Sequence, residues 1–118
     1  MSIYKSKWVL ELPPNYMDEM VDAVLTHRMK NITREQYDTD ETIRNNVDQQ
    51  VFNRMQQAKT TFVPWVEHAF PLKGKSVLEI GSGTGSTTVA LAQSADTVQG
   101  VDVVESYAAI AETRMKAI

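Results

Sequence analysis

The chain has 118 residues, 42% of them hydrophobic and 23% charged, with a formal net charge of −3. That length holds one hydrophobic core; the acidic balance argues against gripping nucleic acid by phosphate neutralisation, and the lack of cysteine excludes disulfides, thiolate nucleophiles and Cys-ligated zinc. Met1 to Trp8 carries Lys5 and Lys7 without the apolar stretch of a signal peptide, and no segment nears the roughly 20 apolar residues that span a bilayer, so a cytoplasmic protein with no membrane partner is expected.

A first helix is predicted after Pro13-Pro14, with Asn15 as its N-cap. Met17, Met20, Val21, Val24, Leu25 and Met29 fall on one face of it. A polar stretch from Asn31 to Asp38 interrupts the pattern. A second helix starts near Thr39 or Asp40, with Ile43, Val47, Val51 and Met55 recurring every four positions. The cluster Phe62, Val63, Trp65 and Val66 around Pro64 predicts a break and restart, because proline is tolerated in a first turn.

From Ser76 the pattern changes. Val77-Leu78-Glu79-Ile80, between Lys73-Gly74-Lys75 and Gly81, suits a buried parallel strand. Thr84 to Ser94 reads as a helix, Thr97 to Val101 as a second strand, and Ser106 to Ile118 as a helix with Tyr107, Ile110, Ala111, Met115 and Ile118 near helical spacing. Strand, helix, strand, helix in so short a span is a right-handed βαβ unit. The fold class is therefore α/β: the first two parallel strands and helices of a partial Rossmann-like sheet, residues 73–118, preceded by an N-terminal helical cap, residues 1–72, in one compact unit.

The chemistry concentrates in Glu79-Ile80-Gly81-Ser82-Gly83-Thr84-Gly85, directly after a strand and before a helix. Alternate glycines let the backbone turn sharply and let a ligand lie against it. The following helix offers unpaired N–H groups and a positive dipole end. A P-loop would need Gly-Lys-Ser/Thr, yet no Lys or Arg occurs between Ser76 and Val104. A dinucleotide fingerprint would place a glycine or alanine where Ser86 stands. Glu79, two residues before the first glycine, suits a cationic amino group better than a pyrophosphate. Asp102 ends the second strand 21 residues after Gly81, where a carboxylate can accept hydrogen bonds from both ribose hydroxyls.

Val77 to Gly85 resembles the first motif of class I S-adenosylmethionine-dependent methyltransferases. Val98-Gln99-Gly100-Val101-Asp102 with Ile110 to Arg114 resembles that family's second strand and helix. The resemblance implies S-adenosylmethionine as cofactor and S-adenosylhomocysteine as product. It places Gly81, Ser82, Gly83 and Gly85 under methionine and ribose, Asp102 on the ribose hydroxyls and Glu79 near the methionine amino group, with Ile80, Thr84 and Val103 completing the candidate site. The family's N-terminal helices often form a lid, which makes Tyr37 a candidate to face the cofactor, against a plain packing role. His27 and His68 read as surface or packing residues, and neither a catalytic base nor a metal site is identified.

The function expected is methyl transfer to a small-molecule acceptor. A non-catalytic S-adenosylmethionine-binding or interaction module is the alternative, and an NAD- or FAD-binding domain a second one. The family's sheet has seven strands and only two are recognisable, so a truncated piece is expected. An edge left open along Val77 to Ile80 would then pair two chains in a homodimer.

Overall fold

The structure, a computed structural model, describes residues 12–118. The Met1 to Trp8 stretch lies outside the described residues.

Helix α1 spans Tyr16–His27 and buries Met20, Val21 and Val24 along the predicted stripe. Asn15 occupies its N-cap position, but the side-chain amide donates to the Glu19 carboxylate and caps nothing. The polar stretch from Asn31 to Asp38 does not merely interrupt the helices: it holds most of a further one, α2, Arg34–Thr39. It fully buries no side chain, although Tyr37 packs against the core; a capping box starts it, with the Gln36 N–H donating to Thr33 Oγ1 at 3.1 Å and the Thr33 N–H donating to Gln36 Oε1 at 2.9 Å. Arg34 then ties α2 to Asp18 and Asp22 of α1.

Helix α3, Glu41–Asp48, starts at Asp40, whose carboxylate accepts the Thr42 and Ile43 N–H groups at 3.0 and 3.2 Å. The helical backbone then runs on through a π turn at Gln49–Asn53, α4 at Arg54–Gln57, a second π turn at Ala58–Phe62 and α5 at Val63–Ala69. The break predicted at Pro64 does not occur. Pro64 sits in the first turn of α5, and the π turn ahead of it widens the helix where the ring would otherwise crowd the Thr60 carbonyl.

Strand β1, Ser76–Ile80, pairs in parallel with β2, Thr97–Val101, in a register running from Ser76↔Thr97 to Ile80↔Val101. The crossover carries α6, Ser86–Ala92, and α7, Glu105–Ala117, follows β2. Exposure alternates along both strands. Val77 and Val98 pack on the small cluster of Ala58, Val63, Leu72, Ala90, Leu91 and Ala95. On the other face Leu78 is 61% and Ile80 76% exposed, because no element among the described residues covers it. The strand read as buried is thus buried on one face only.

The main core joins the two halves of the chain. Tyr16, Met20, Val21 and Val24 of α1 meet Val47, Val51, Phe52 and Met55 of the long helix, closed by Val89 of α6 and Ile110 of α7. Of the stripe predicted on α7 only Ile110 is buried; Met115 and Ile118 are exposed, and the other buried residue of that helix is Arg114.

Candidate functional site

The loop from Gly81 to Gly85 crosses the carboxyl end of β2. The N–H groups of Gly81 and Ser82 both donate to Val101 O, at 2.8 and 3.0 Å. The Gly83 N–H donates to Asp102 Oδ2 at 2.9 Å, and the Val104 N–H to Asp102 Oδ1 at 2.9 Å. Asp102 is therefore the clasp that closes the loop onto the second strand. It is not the helix N-cap, a position taken by Val104. These backbone donors hold its exposed carboxyl below the usual carboxylate range.

Two glycines let these pieces approach. A Cβ on Gly100 would stand 2.6 Å from Ser82 Cβ, so only a bare backbone in β2 lets the loop rest there. Gly85, at φ +83°, is the N-cap of α6, and a Cβ on it would meet Ala111 Cβ of α7 at 3.0 Å. Gly81 and Gly83 look the other way: nothing lies within 4 Å of where their Cβ atoms would be. That bare strip, beside an acid with spare lone pairs, is a cradle of the kind a flat, hydroxyl-bearing ligand requires.

Glu79 is half-buried behind the loop and accepts a hydrogen bond from Thr88 Oγ1 of α6. Burial pushes its carboxyl above the usual range, and the Thr88 hydroxyl opposes that shift. A cavity of about 290 Å³ between the loop, β2 and α7 is lined by Ser82, Gly83, Thr88, Gly100, Asp102 and Val104 among others.

The structure thus brings Ser82, Gly83 and Asp102 together, with Glu79 reaching the cavity through Thr88. Ile80 and Val103 stand exposed at the strand ends. Thr84 turns inward: it is buried, and its carbonyl and hydroxyl accept from Arg114 at 3.0 and 3.4 Å. Tyr37 donates to Asp48 at 2.7 Å, and so serves packing in the cap. Among the described residues no group of three or more His, Asp or Glu is placed to hold a metal ion. The sequence does not mark Thr88, and it sets Gly100 and Arg114 in the family motifs without giving either a role in the site. Of these only Gly100, alone without a side chain in an apolar strand, carries a signal that could have marked it.

A parallel βαβ unit whose glycine loop is clasped by the acid ending the second strand defines the nucleotide-cofactor end of a Rossmann-like sheet. The sequence matches the family Protein-L-isoaspartate(D-aspartate) O-methyltransferase (PCMT) over residues 15–118, and the chain belongs to that family of class I S-adenosylmethionine-dependent methyltransferases. It is also similar to the proteins named Ubiquinone biosynthesis O-methyltransferase from Pseudomonas fluorescens (strain SBW25) and Pseudomonas entomophila (strain L48). Each is 40% identical over 50 residues, which cover 42% of this chain and 22% of the relative. The alignment thus spans about a fifth of the length of those curated relatives. No solved structure matches significantly. Among the described residues no helix is long and apolar enough to cross a membrane.

Proposed function

We propose that this chain binds S-adenosylmethionine and serves methyl transfer to an oxygen of a small-molecule acceptor. The observation that carries the cofactor assignment is the clasp: a glycine loop with its outer backbone bare, closed by an N–H bond onto Asp102. The oxygen acceptor is supported by the names of the family and of both curated relatives, and the small-molecule class by the relatives alone.

The bound cofactor would supply an electrophilic methyl group on a sulfonium. Asp102 already takes one N–H on each carboxylate oxygen and keeps a lone pair on each for the ribose hydroxyls. The backbone of Gly81 to Gly83 would lie under the ribose and methionine. Glu79 would face the methionine ammonium, which stabilises the carboxylate that burial disfavours. Holding sulfur and methyl in one fixed direction is the rate-enhancing contribution such a loop can make, since the displacement is in line.

Titration calorimetry tests the assignment. S-adenosylhomocysteine should bind, NAD should bind more weakly or not at all, and Asp102→Asn should weaken S-adenosylhomocysteine by about tenfold to a hundredfold, the worth of charge-assisted hydrogen bonds. Tighter binding of NAD would overturn it.

A further inference from the structure

Arg114 heads the fully buried side chains by size, with 0% exposure. Its guanidinium donates from Nε to Thr84 O at 3.0 Å. Nη1 donates to Tyr16 Oη at 2.8 Å and to Val51 O at 2.7 Å. Nη2 donates to Gln50 O at 2.6 Å and to Thr84 Oγ1 at 3.4 Å. Every one of these acceptors is neutral. Desolvating a cation and pairing it with dipoles alone is an expensive way to fill a core, so the fork needs a reason beyond packing.

The acceptors belong to three separate parts of the chain. Tyr16 opens α1, Gln50 and Val51 lie in the first π turn, and Thr84 lies in the glycine loop. The π turn makes the junction possible. The Arg54 N–H reaches back five residues to Gln49 O, where an α-helix would use Gln50 O. Gln50 O is thereby left for Arg114. Tyr16 completes the junction by donating its own hydroxyl to Val51 O at 2.8 Å. On the loop side the geometry is equally specific. Gly81, Ser82 and Gly83 are fixed from β2 and Asp102, and Arg114 holds the next residue from the opposite direction.

We propose that Arg114 is a positioning residue for the cofactor loop: it anchors Thr84 to the helical cap, so that cap and loop bind ligand as one unit. The inference rests on the cofactor assignment above. It goes beyond a structural role by requiring that changes inside the cap, away from the cavity, alter ligand affinity.

The test uses the whole chain with Tyr16→Phe, Arg114→Lys and the double variant. Binding of S-adenosylhomocysteine is measured by calorimetry, well below each variant's melting temperature, and amide exchange is followed at Gly83 and Gly85 against Val89 to Leu91. Tyr16→Phe removes a hydroxyl that lies outside the cavity lining, yet it should raise Kd about threefold or more. Arg114→Lys keeps the charge but not the fork, and should raise Kd about tenfold or more. The two effects should not add, because they act through one junction. Faster exchange should be confined to the loop amides. Lower melting temperatures with Kd and loop exchange unchanged would overturn the proposal. If the native chain binds no S-adenosylhomocysteine, the cofactor assignment falls and exchange alone decides: loss confined to Gly83 and Gly85 supports the anchor, and loss that is uniform or absent refutes it.

Discussion

Along β1 and β2 alternate residues live in opposite surroundings. Val77, Glu79, Val98 and Gly100 meet α6 and the glycine loop, whereas Leu78, Ile80 and Val101 meet solvent. The inner face is tied, through α6 and α7, to the core that α1 and the long helix share, and through Arg114 to the loop itself. The outer face exposes Leu78, Ile80 and Val101, and no element among the described residues packs on it. Loop geometry in this chain therefore depends on both layers: β2 and Asp102 set Gly81 to Gly83, and the helices, through Arg114, set Thr84.

If that contrast holds, substitutions on the inner side should dominate. Arg114→Met should have the largest effect, because it strands the carbonyls of Gln50 and Thr84 in the core; a loss of about 3 kcal/mol or more is expected in chemical denaturation. Next comes Gly100→Ala, whose Cβ must displace Ser82 and so lift the loop from β2. It should lose about 1–3 kcal/mol of stability and weaken S-adenosylhomocysteine binding in the same sample.

Glu79 gives a smaller, pH-dependent effect. Its carboxyl titrates above the usual value in the folded chain, so its contribution to stability is fully present below the unfolded pKa and is lost as pH rises through the folded one. Ligand affinity should run the other way. A protonated Glu79 cannot pair with an ammonium, so S-adenosylhomocysteine binding should weaken as pH falls into that raised range, and Glu79→Gln should flatten the profile. A native profile as flat as the variant's would remove Glu79 from the ligand.

The outer face should respond least in stability and most in association. We expect the chain to self-associate at micromolar concentration in sedimentation, through the edge of β1 that pairs with no other strand among the described residues and the exposed face beside it. Leu78→Lys with Ile80→Lys should restore the monomer while changing stability by less than about 0.5 kcal/mol. A native chain that sediments as a monomer breaks this half of the contrast.

The elements that sequence made legible are those whose signals are local. β2 lies where Thr97 to Val101 placed it, and Asp102 stands at its tip. The capping box of α2 was written in Thr33 and Gln36, but Ile32 and Tyr37 are the sole apolar residues between Asn31 and Asp38, too few to draw a helical stripe; caps and surface ion pairs hold this helix as much as packing does. What stayed illegible depends on distant partners. The exposure of Leu78 and Ile80 depends on what covers the sheet, and no periodicity reports that. Arg114 sits among helical residues of ordinary composition, and its acceptors come from residues 16, 50, 51 and 84. A lone arginine next to Thr113 and Met115 reads as solvated until those four positions are in one place. The inward turn of Thr84 was hidden for the same reason.

The first π turn also has a consequence for the phase of the long helix. Ile43, Val47, Val51 and Met55 repeat every four residues, and in a regular α-helix each such step overshoots a full turn by about 40°. Three steps would carry Met55 a third of the way round the cylinder from Ile43, yet Val47, Val51 and Met55 are all fully buried in one cluster and Ile43 packs against it. The wider winding at Gln49–Asn53 returns the lost angle. A strict repeat of four is thus the imprint of the π turn in the primary structure. Deleting one residue between Gln50 and Arg54 would regularise the winding: Val47 and Met55, then seven positions apart, would stay within about 20° of one line, but the Gln50 carbonyl would return to the helix and be lost to Arg114.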